Sequence, residues 1–340
     1  MLSSDEIHER VQSTLIKLVQ VDPNGFCNCR CWYCPIKYYD NPKAYRRRMT
    51  QEEFGFVLDR IDEAKGILVD PDLNLIYTCH YNETLLHPQW FSLYKQIAKR
   101  GWRTGTFTNG MVLTPRNVRL LEDLTPNPNE FVIVNCPASD ASTWSALTGK
   151  SEKMFGRLLE NITAVVSSPL LAKRTVIQVN TLFESDDKVR IGKNAPMTRV
   201  ELIEGGSNSI AFWQQNFPAL RVTPAALFDR AETIPDVLLE TNKVVDPTDC
   251  LHSHETGGRI FGGLHVAATG DVFLCCNDFY MEYRFGNLFE KPLIKIWGSA
   301  SHIEVIGKAL RNICTRCSFA GHSEKKIPPE RTLPPPPYKR

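Results

Sequence analysis

The stretch "LIKLVQVDPNGFCNCRCWYCP", residues 15–35, joins an apolar run to a loop that contains four cysteines. Residues 15–21 are rich in the aliphatic side chains that favour a buried strand. Cysteines follow at positions 27, 29, 31 and 34, so four thiols fall within eight positions. In parallel α/β folds, ligands bind on the loops that follow the carboxyl ends of the strands. We therefore expect this loop to hold a functional site.

Strand and helix patterns alternate along the chain after this loop. Helical spacing is clear at 50–64, where Thr50 is placed to cap a helix and Glu53 to complete a capping box. Strands are predicted at 15–21, 73–79, 103–110 (a strand and the turn that ends it), 130–136, 174–183 and 220–224. Further helices are predicted at 89–101, 116–124, 139–167 (two) and 207–217. Alternation of this kind indicates a parallel sheet with right-handed crossovers. The fold class is therefore predicted as α/β, with a partial (β/α)6 barrel over residues 1–225.

The pattern changes after residue 225. Residues 262–279 predict two strands, which Gly270 and Asp271 join as a two-residue hairpin turn. A helix is predicted near 300–311, and a Cys-x2-Cys pair follows it. We expect a small hairpin-and-helix domain over 226–322. The final segment, 323–340, is proline-rich and polar, which predicts a disordered tail.

Composition limits the possible classes of function. The chain has 340 residues, 42% hydrophobic and 23% charged, which is typical of a globular protein with a substantial core. A net charge of +2 does not indicate nucleic acid or an anionic membrane as a partner. The chain contains no secretory signal and no apolar run of 18 residues, so it is predicted to be cytoplasmic. Cytosolic thiols stay reduced, and the eleven cysteines are not expected to form disulfides.

The spacing in the first cysteine loop can be interpreted in two ways. Structural zinc usually takes two Cys-x2-Cys pairs that lie a dozen or more residues apart. Here Cys31 and Cys34 form one pair, Cys27 lies four residues upstream, and the next cysteine or histidine is Cys79. Three thiolates from one loop leave a metal open on one side, as in a catalytic [4Fe–4S] cluster. The spacing favours the cluster, and zinc stays the alternative.

The loop resembles the cluster loop of the radical S-adenosylmethionine superfamily. The pattern is Cys27-x3-Cys31-x2-Cys34, with the aromatic Tyr33 before the last cysteine. The resemblance implies that these three cysteines hold a [4Fe–4S] cluster whose open iron binds the methionine part of S-adenosylmethionine. One-electron reduction then gives a 5′-deoxyadenosyl radical. Cys29 falls inside the x3 gap and is not a ligand in the family.

A second segment with a family counterpart is "CHYNETLLHP", residues 79–88. It is similar to the Gly-Glu-Pro segment of the superfamily, in which the glutamate receives the α-amino group of the cofactor. Glu83 occupies that position, and a carboxylate suits an ammonium partner. Asn82 and Thr84 stand where the pattern has Gly and Pro.

A third matching segment is "FTNG", residues 107–110. The resemblance implies that Thr108 and Asn109 line the cofactor, together with Tyr33. Cys79 and Cys136 end apolar strands and are expected to be core thiols.

Four cysteines near the end of the chain form a second group: Cys250, Cys275, Cys314 and Cys317. Four thiolates suit zinc and a [4Fe–4S] cluster equally well. Because His252 and His254 lie close to Cys250, a zinc ribbon stays an alternative interpretation. Residues 270–297 resemble the SPASM extension, or its shorter Twitch form, with a hairpin cysteine and an Asp three residues later. By that match Cys275 is the ligand, Asp278 is the Asp, and Cys276 is spare. One auxiliary [4Fe–4S] cluster is implied.

The resemblance extends to the Twitch-containing dehydrogenases that oxidise 2-deoxy-scyllo-inosamine. "FDRAE", residues 228–232, resembles a segment whose arginine faces the substrate, which makes Arg230 the candidate catalytic residue. The implied function is oxidation of a small hydroxylated molecule through the auxiliary cluster. The alternatives are maturation of a peptide side chain, or a non-catalytic zinc-binding protein. The implied partner is an electron donor such as flavodoxin or ferredoxin, with no nucleic acid or membrane partner.

Overall fold

The computed structural model describes residues 2–124, 130–186, 189–239, 244–252 and 258–321. The tail predicted at 323–340 and the candidate zinc ligand His254 lie outside the described residues. Within these ranges, no helix combines the length and the apolarity needed to cross a membrane.

Thirteen strands lie in the described ranges. They are β1 (Leu18–Val21), β2 (Leu75–Tyr77), β3 (Arg103–Thr108), β4 (Phe131–Asn135), β5 (Thr175–Thr181), β6 (Val189–Ile191), β7 (Arg221–Ala226), β8 (Val237–Leu239), β9 (Asp249–Cys250), β10 (Gly263–Val266), β11 (Asp271–Phe273), β12 (Arg284–Asn287) and β13 (Ala320–Gly321).

The same ranges contain twelve α-helices. They are α1 (Ser4–Ser13), α2 (Gln51–Asp62), α3 (Trp90–Lys99), α4 (Pro115–Leu124), α5 (Ala141–Thr148), α6 (Lys153–Val166), α7 (Pro169–Ala172), α8 (Arg199–Asn216), α9 (Arg259–Gly262), α10 (Leu293–Ile296), α11 (Ala300–Leu310) and α12 (Ile313–Arg316).

The six predicted strands form the parallel part of one sheet. β1, β2, β3, β4, β5 and β7 are neighbours in that order, and every pair among them is parallel. Helices lie between consecutive strands; α3 packs on β3, and α8 packs on β5 and β7. The predicted partial (β/α)6 barrel is confirmed. Because all six strands are parallel, the loops that follow them meet at one edge of the sheet.

Capping boxes start two of the helices that cover this sheet. Thr50 accepts the backbone N–H of Glu53, and the Glu53 carboxylate accepts the backbone N–H of Thr50, as the sequence predicts. The helix predicted at 207–217 begins earlier, at Arg199, so that prediction is wrong at its start. Thr198 and Glu201 form the same capping box there. The weak apolar pattern of the first two turns concealed this signal.

The predicted hairpin is present and extends the barrel sheet. β10 pairs in parallel with β1, and β11 and β12 continue the sheet in antiparallel fashion. The predicted two-residue turn is wrong, because Asp271 already belongs to β11. The turn is longer: Ala267 O accepts the N–H of Gly270 at 2.8 Å, and Gly270 has a φ of +80°. Glycine is favoured there because side chains disfavour the left-handed region.

Candidate functional site

The first cysteine loop is tied to the segment that follows β2. The backbone N–H of Glu83 donates to Phe26 O at 2.9 Å, one residue before Cys27. The amide of Asn24 donates to Glu83 O at 2.8 Å. The fold therefore brings together, at the carboxyl edge of the sheet, two segments that lie almost 60 residues apart along the chain.

Glu83 joins the predicted cofactor residues into one group. Its Oε2 accepts the Thr108 hydroxyl at 3.1 Å and the Asn109 backbone N–H at 2.7 Å, and its Oε1 accepts the Leu85 N–H at 3.3 Å. The residue is only 1% exposed. Burial raises the pKa of Glu83 to about 7, although these hydrogen bonds act in the opposite direction. An ammonium group beside this carboxylate would favour its ionised form.

Two asparagines that the sequence analysis missed complete the contacts of this region. Asn109 Nδ2 donates to Asn28 Oδ1 at 2.6 Å, which connects the end of β3 to the cysteine loop. The Tyr33 hydroxyl donates to Asn135 Oδ1 at 2.9 Å, at the end of β4. Burial raises the pKa of Tyr33, and the Cys31 charge adds to this effect. The position of Asn135, a polar residue at the carboxyl end of a predicted strand, could have indicated it as a site residue.

The thiols of the first loop lie in an apolar setting. Cys27 and Cys34 pack against a buried group formed by Ile36, Tyr81 and Phe279. The pKa of Cys34 is raised to about 12, mainly by burial and secondly by the charge of Cys31. Burial also raises the pKa of Cys27. Neutral thiols are therefore favoured without a metal, and the positive charge of bound iron would be needed to hold them as thiolates.

The second cysteine group is assembled by short elements. β9 pairs with β13, so Cys250 lies opposite Ala320, close along the chain to Cys317. Cys317 N donates to Cys314 O at 3.2 Å across the short helix α12. Burial raises the pKa of Cys317 to about 12, and the charge of Cys250 is the next cause.

Cys275 and Cys276 follow β11 in a loop that Asp278 stabilises. Its carboxylate accepts the backbone N–H groups of Glu282 and Tyr283, each at 2.9 Å. Both cysteines are half-buried. The assignment of Cys275 as the ligand and Cys276 as the spare therefore stays a prediction.

Arg230 lies in a turn of unusual backbone conformation. Arg230, Ala231 and Glu232 have φ angles of 52°, 56° and 66°. The Asp229 carboxylate accepts the Ala231 N–H at 3.2 Å, and the Thr233 hydroxyl donates to Arg230 O at 2.8 Å. Three consecutive left-handed residues other than glycine are costly, so the surrounding contacts must hold the turn.

The charge environment of Arg230 involves both cysteine groups. Burial acts to lower the pKa of its guanidinium, but Tyr81, Cys276 and Cys34 together raise it. Cys34 belongs to the first loop, and Cys317, whose charge also raises this pKa, belongs to the second cysteine group. The catalytic role of Arg230 stays a prediction.

The second cysteine group coincides with a known type of domain. The family model named SPASM, an iron–sulfur cluster-binding domain, matches residues 258–318. This segment is therefore similar to a SPASM domain. This domain contains Cys275, Cys314 and Cys317, whereas Cys250 precedes it.

Solved structures share the fold of the whole chain. SuiB of Streptococcus suis bound to the precursor peptide SuiA has a TM-score of 0.60 at 12% identity, over 93% of this chain and 72% of SuiB. BtrN in complex with AdoMet and 2-DOIA has a TM-score of 0.52 at 16% identity, over 91% and 94%. The protein anSMEcpe with bound AdoMet has a TM-score of 0.55 at 13% identity, over 90% and 84%. At such identities the likeness shows the fold alone.

One curated protein is similar over part of the chain. It is the tungsten-containing aldehyde ferredoxin oxidoreductase cofactor-modifying protein of Pyrococcus furiosus, 25% identical over 109 residues. The match spans 32% of this chain and 28% of that protein.

The residues present fit iron–sulfur clusters. Backbone and amide donors point at the sulfurs: Cys29 N lies 3.4 Å from Cys27 Sγ, and Asn277 Nδ2 lies 3.1 Å from Cys317 Sγ. Such contacts are typical of cluster sulfurs. The SPASM match supports an iron–sulfur cluster within residues 258–318. The solved structures of BtrN and anSMEcpe contain bound AdoMet. Among the described residues, no three Cys, His, Asp or Glu side chains are arranged to hold a single metal ion.

Proposed function

We propose that this chain is a radical S-adenosylmethionine enzyme that abstracts a hydrogen atom from a small hydroxylated molecule and oxidises it. The main observation in support of this proposal is the buried carboxylate of Glu83, which Thr108 and Asn109 hold beside the first cysteine loop. A buried acid in that place, with donors already fixing its orientation, is suited to bind an ammonium group.

The proposed roles of the first site follow from these contacts. Cys27, Cys31 and Cys34 would hold the first cluster, and Glu83 would receive the amino group of the cofactor. When bound, the cluster and S-adenosylmethionine supply a 5′-deoxyadenosyl radical. The protein orients the cofactor through the Glu83 group, and the apolar packing around Cys27 and Cys34 excludes water.

The SPASM domain supplies the proposed oxidation step. Cys250, Cys275, Cys314 and Cys317 would hold an auxiliary cluster that accepts the electron left on the substrate. Arg230 would face the substrate, as the resemblance of the segment 228–232 implies. An acidic electron carrier such as flavodoxin or ferredoxin would reduce the first cluster.

Maturation of a peptide side chain is the second candidate. The structure of SuiB with its precursor peptide has the higher TM-score, 0.60 against 0.52 for BtrN with 2-DOIA. BtrN is matched over a larger share of its own length, 94% against 72%, which favours a small molecule as the first candidate.

The metal content of anaerobically reconstituted protein tests the proposal. Two [4Fe–4S] clusters require about eight irons per chain. The triple variant Cys27→Ala, Cys31→Ala, Cys34→Ala should keep about half of that iron, because the second group is untouched. After reduction, the parent should form 5′-deoxyadenosine and the triple variant should not. Zinc without iron in the reconstituted parent would contradict the assignment and favour a zinc-binding protein.

A further inference from the structure

The segment that covers the first cysteine loop carries a concentrated positive charge. Residues 30–48 contain six Lys and Arg residues and one acid, Asp40. In the rest of the chain, acids exceed Lys and Arg by three, since the whole chain has a net charge of +2. Five of the six cations are exposed: Arg30, Lys37, Lys43, Arg46 and Arg48. We call these five residues the basic face.

The basic face lies directly on the cysteine loop. Gly25 N donates to Arg47 O at 2.9 Å, and the Arg48 guanidinium lies 4.5 Å from the centre of the Phe26 ring. A Cβ atom on Gly25 would meet Tyr45 O at 1.7 Å, so the two segments are packed as closely as backbone allows. The Arg48 guanidinium is therefore held beside the residue that precedes Cys27.

Neighbouring acids neutralise only part of this charge. Asp40 contacts both Arg30, at 2.6 Å, and Arg46, at 3.3 Å. Arg47 faces Glu53 and is not counted in the face. The side chains of Lys37 and Lys43 are exposed to solvent.

The composition of the basic face suits a protein partner. Tyr39, inside the same segment, is 40% exposed, and its ring lies 5.7 Å from that of Tyr280. Exposed Tyr and Arg side chains are enriched at protein interfaces. A long polyanion such as nucleic acid would also extend onto the rest of the chain, in which acids outnumber Lys and Arg by three.

We propose that the basic face is the docking surface for a small acidic protein that carries one electron. The proposal rests on the proposed function, because the cysteine loop under the face is the centre that such a carrier would reduce. Opposite charges on the two surfaces would steer the encounter and fix its orientation.

Direct binding to a bacterial flavodoxin of strongly acidic surface tests the proposal. We expect the double variant Lys37→Glu, Lys43→Glu to bind roughly tenfold or more weakly than the parent at low ionic strength, and the difference to shrink as salt is raised to about 0.5 M. The matched control is Lys99→Glu, Lys173→Glu, which changes the charge equally at the opposite edge of the sheet, before β3 and β5. The control should keep the parental affinity within about twofold.

Cross-linking gives a second measurement that does not depend on catalysis. A carbodiimide joins carboxylates of the flavodoxin to lysines that they contact, so Lys37 and Lys43 should be the modified residues. Cross-links at Lys99 or Lys173 instead, or equal weakening by both double variants, would overturn the proposal. Tight binding of a DNA duplex at the same face, with no binding of flavodoxin, would also overturn it.

The two reductants separate this proposal from the function on which it rests. With dithionite, the double variant at Lys37 and Lys43 should form 5′-deoxyadenosine at the parental rate, whereas with reduced flavodoxin it should be slower. If the parent forms no 5′-deoxyadenosine with dithionite, the proposed function is refuted. The binding data then still show whether flavodoxin docks on the basic face. If the parent is active with dithionite, and the double variant forms 5′-deoxyadenosine at the parental rate with either reductant, only the docking-surface proposal is refuted.

Discussion

Glu83 illustrates what a single position can and cannot reveal. Its proposed role rests on the resemblance of its segment, although Asn82 and Thr84 replace the usual neighbours. In the structure both replacements have partners: the Asn82 amide donates to Asp22 Oδ1, and the Thr84 hydroxyl donates to Thr78 O. The turn is therefore held by side chains in place of the family's Gly and Pro. Sequence alone could not show this, because Asp22 lies 60 residues away.

Substitution of Glu83 tests the cofactor site at the residue scale. Glu83→Ala should weaken binding of S-adenosylmethionine about ten- to hundredfold, which corresponds to the loss of a charged hydrogen bond of roughly 1.5–3 kcal/mol. Equilibrium binding to the reconstituted protein measures the effect. Glu83→Gln keeps an acceptor for Thr108 and Asn109 but removes the charge, and should lose a similar amount. Parental affinity in the Gln variant would assign Glu83 a structural role only.

At the scale of elements, local pattern predicted most of the barrel. Apolar runs and capping signals are properties of neighbouring residues, so the six strands and α2 were found. The pairing of β10 with β1 joins residues that lie about 245 positions apart, and no local signal encodes it. The left-handed turn at Arg230 contradicts local preference, since none of its three residues is glycine. Contacts from Asp229 and Thr233 hold it, and these are visible only in the structure.

Helix α11 should make the stability of the protein sensitive to acid. Its His302 is 1% exposed, stacks on Phe285 at 3.9 Å, and accepts the Gly298 N–H at 3.1 Å. Burial lowers the pKa of His302 to about 3. The folded state therefore disfavours the proton that the unfolded chain binds below about pH 6.5. Stability from this group is present above that pH and is lost as the pH falls toward about 3.

We expect His302 to account for about 1.4 kcal/mol of the stability lost between about pH 7.5 and 5.5. His302→Gln should be less stable at the higher pH but should show a correspondingly smaller loss on acidification. Urea unfolding of the metal-free protein at both pH values gives the free energies. The control His8→Gln, on the exposed face of α1, should keep the parental loss. An unchanged pH dependence in the His302 variant would show that the ring is protonated without penalty in the fold.

At the scale of the whole molecule, the same aromatic side chains contact the first cysteine loop and the loop that follows β11. Phe279, from the loop after β11, packs on Cys27 and Cys34 together with Tyr81. The Tyr81 hydroxyl donates to Cys276 O at 2.7 Å, which ties the segment after β2 to the SPASM domain. Because β10 extends the barrel sheet beside β1, this contact follows from the topology. The sequence predicted both groups, but their adjacency needed the fold.

This adjacency predicts different consequences for the two groups when one is removed. The double variant Cys314→Ala, Cys317→Ala should lose about half of the iron and should still form 5′-deoxyadenosine, because the Glu83 site and the first loop remain. Oxidised product should vanish, since the electron left on the substrate would have no nearby acceptor. Cys136→Ala, a core thiol outside both groups, is the control and should keep iron and product. Quantifying iron, deoxyadenosine and product in the same samples separates these effects. Normal product formation by the double variant would reduce the SPASM cluster to a structural role, and a reaction without net oxidation would then be favoured.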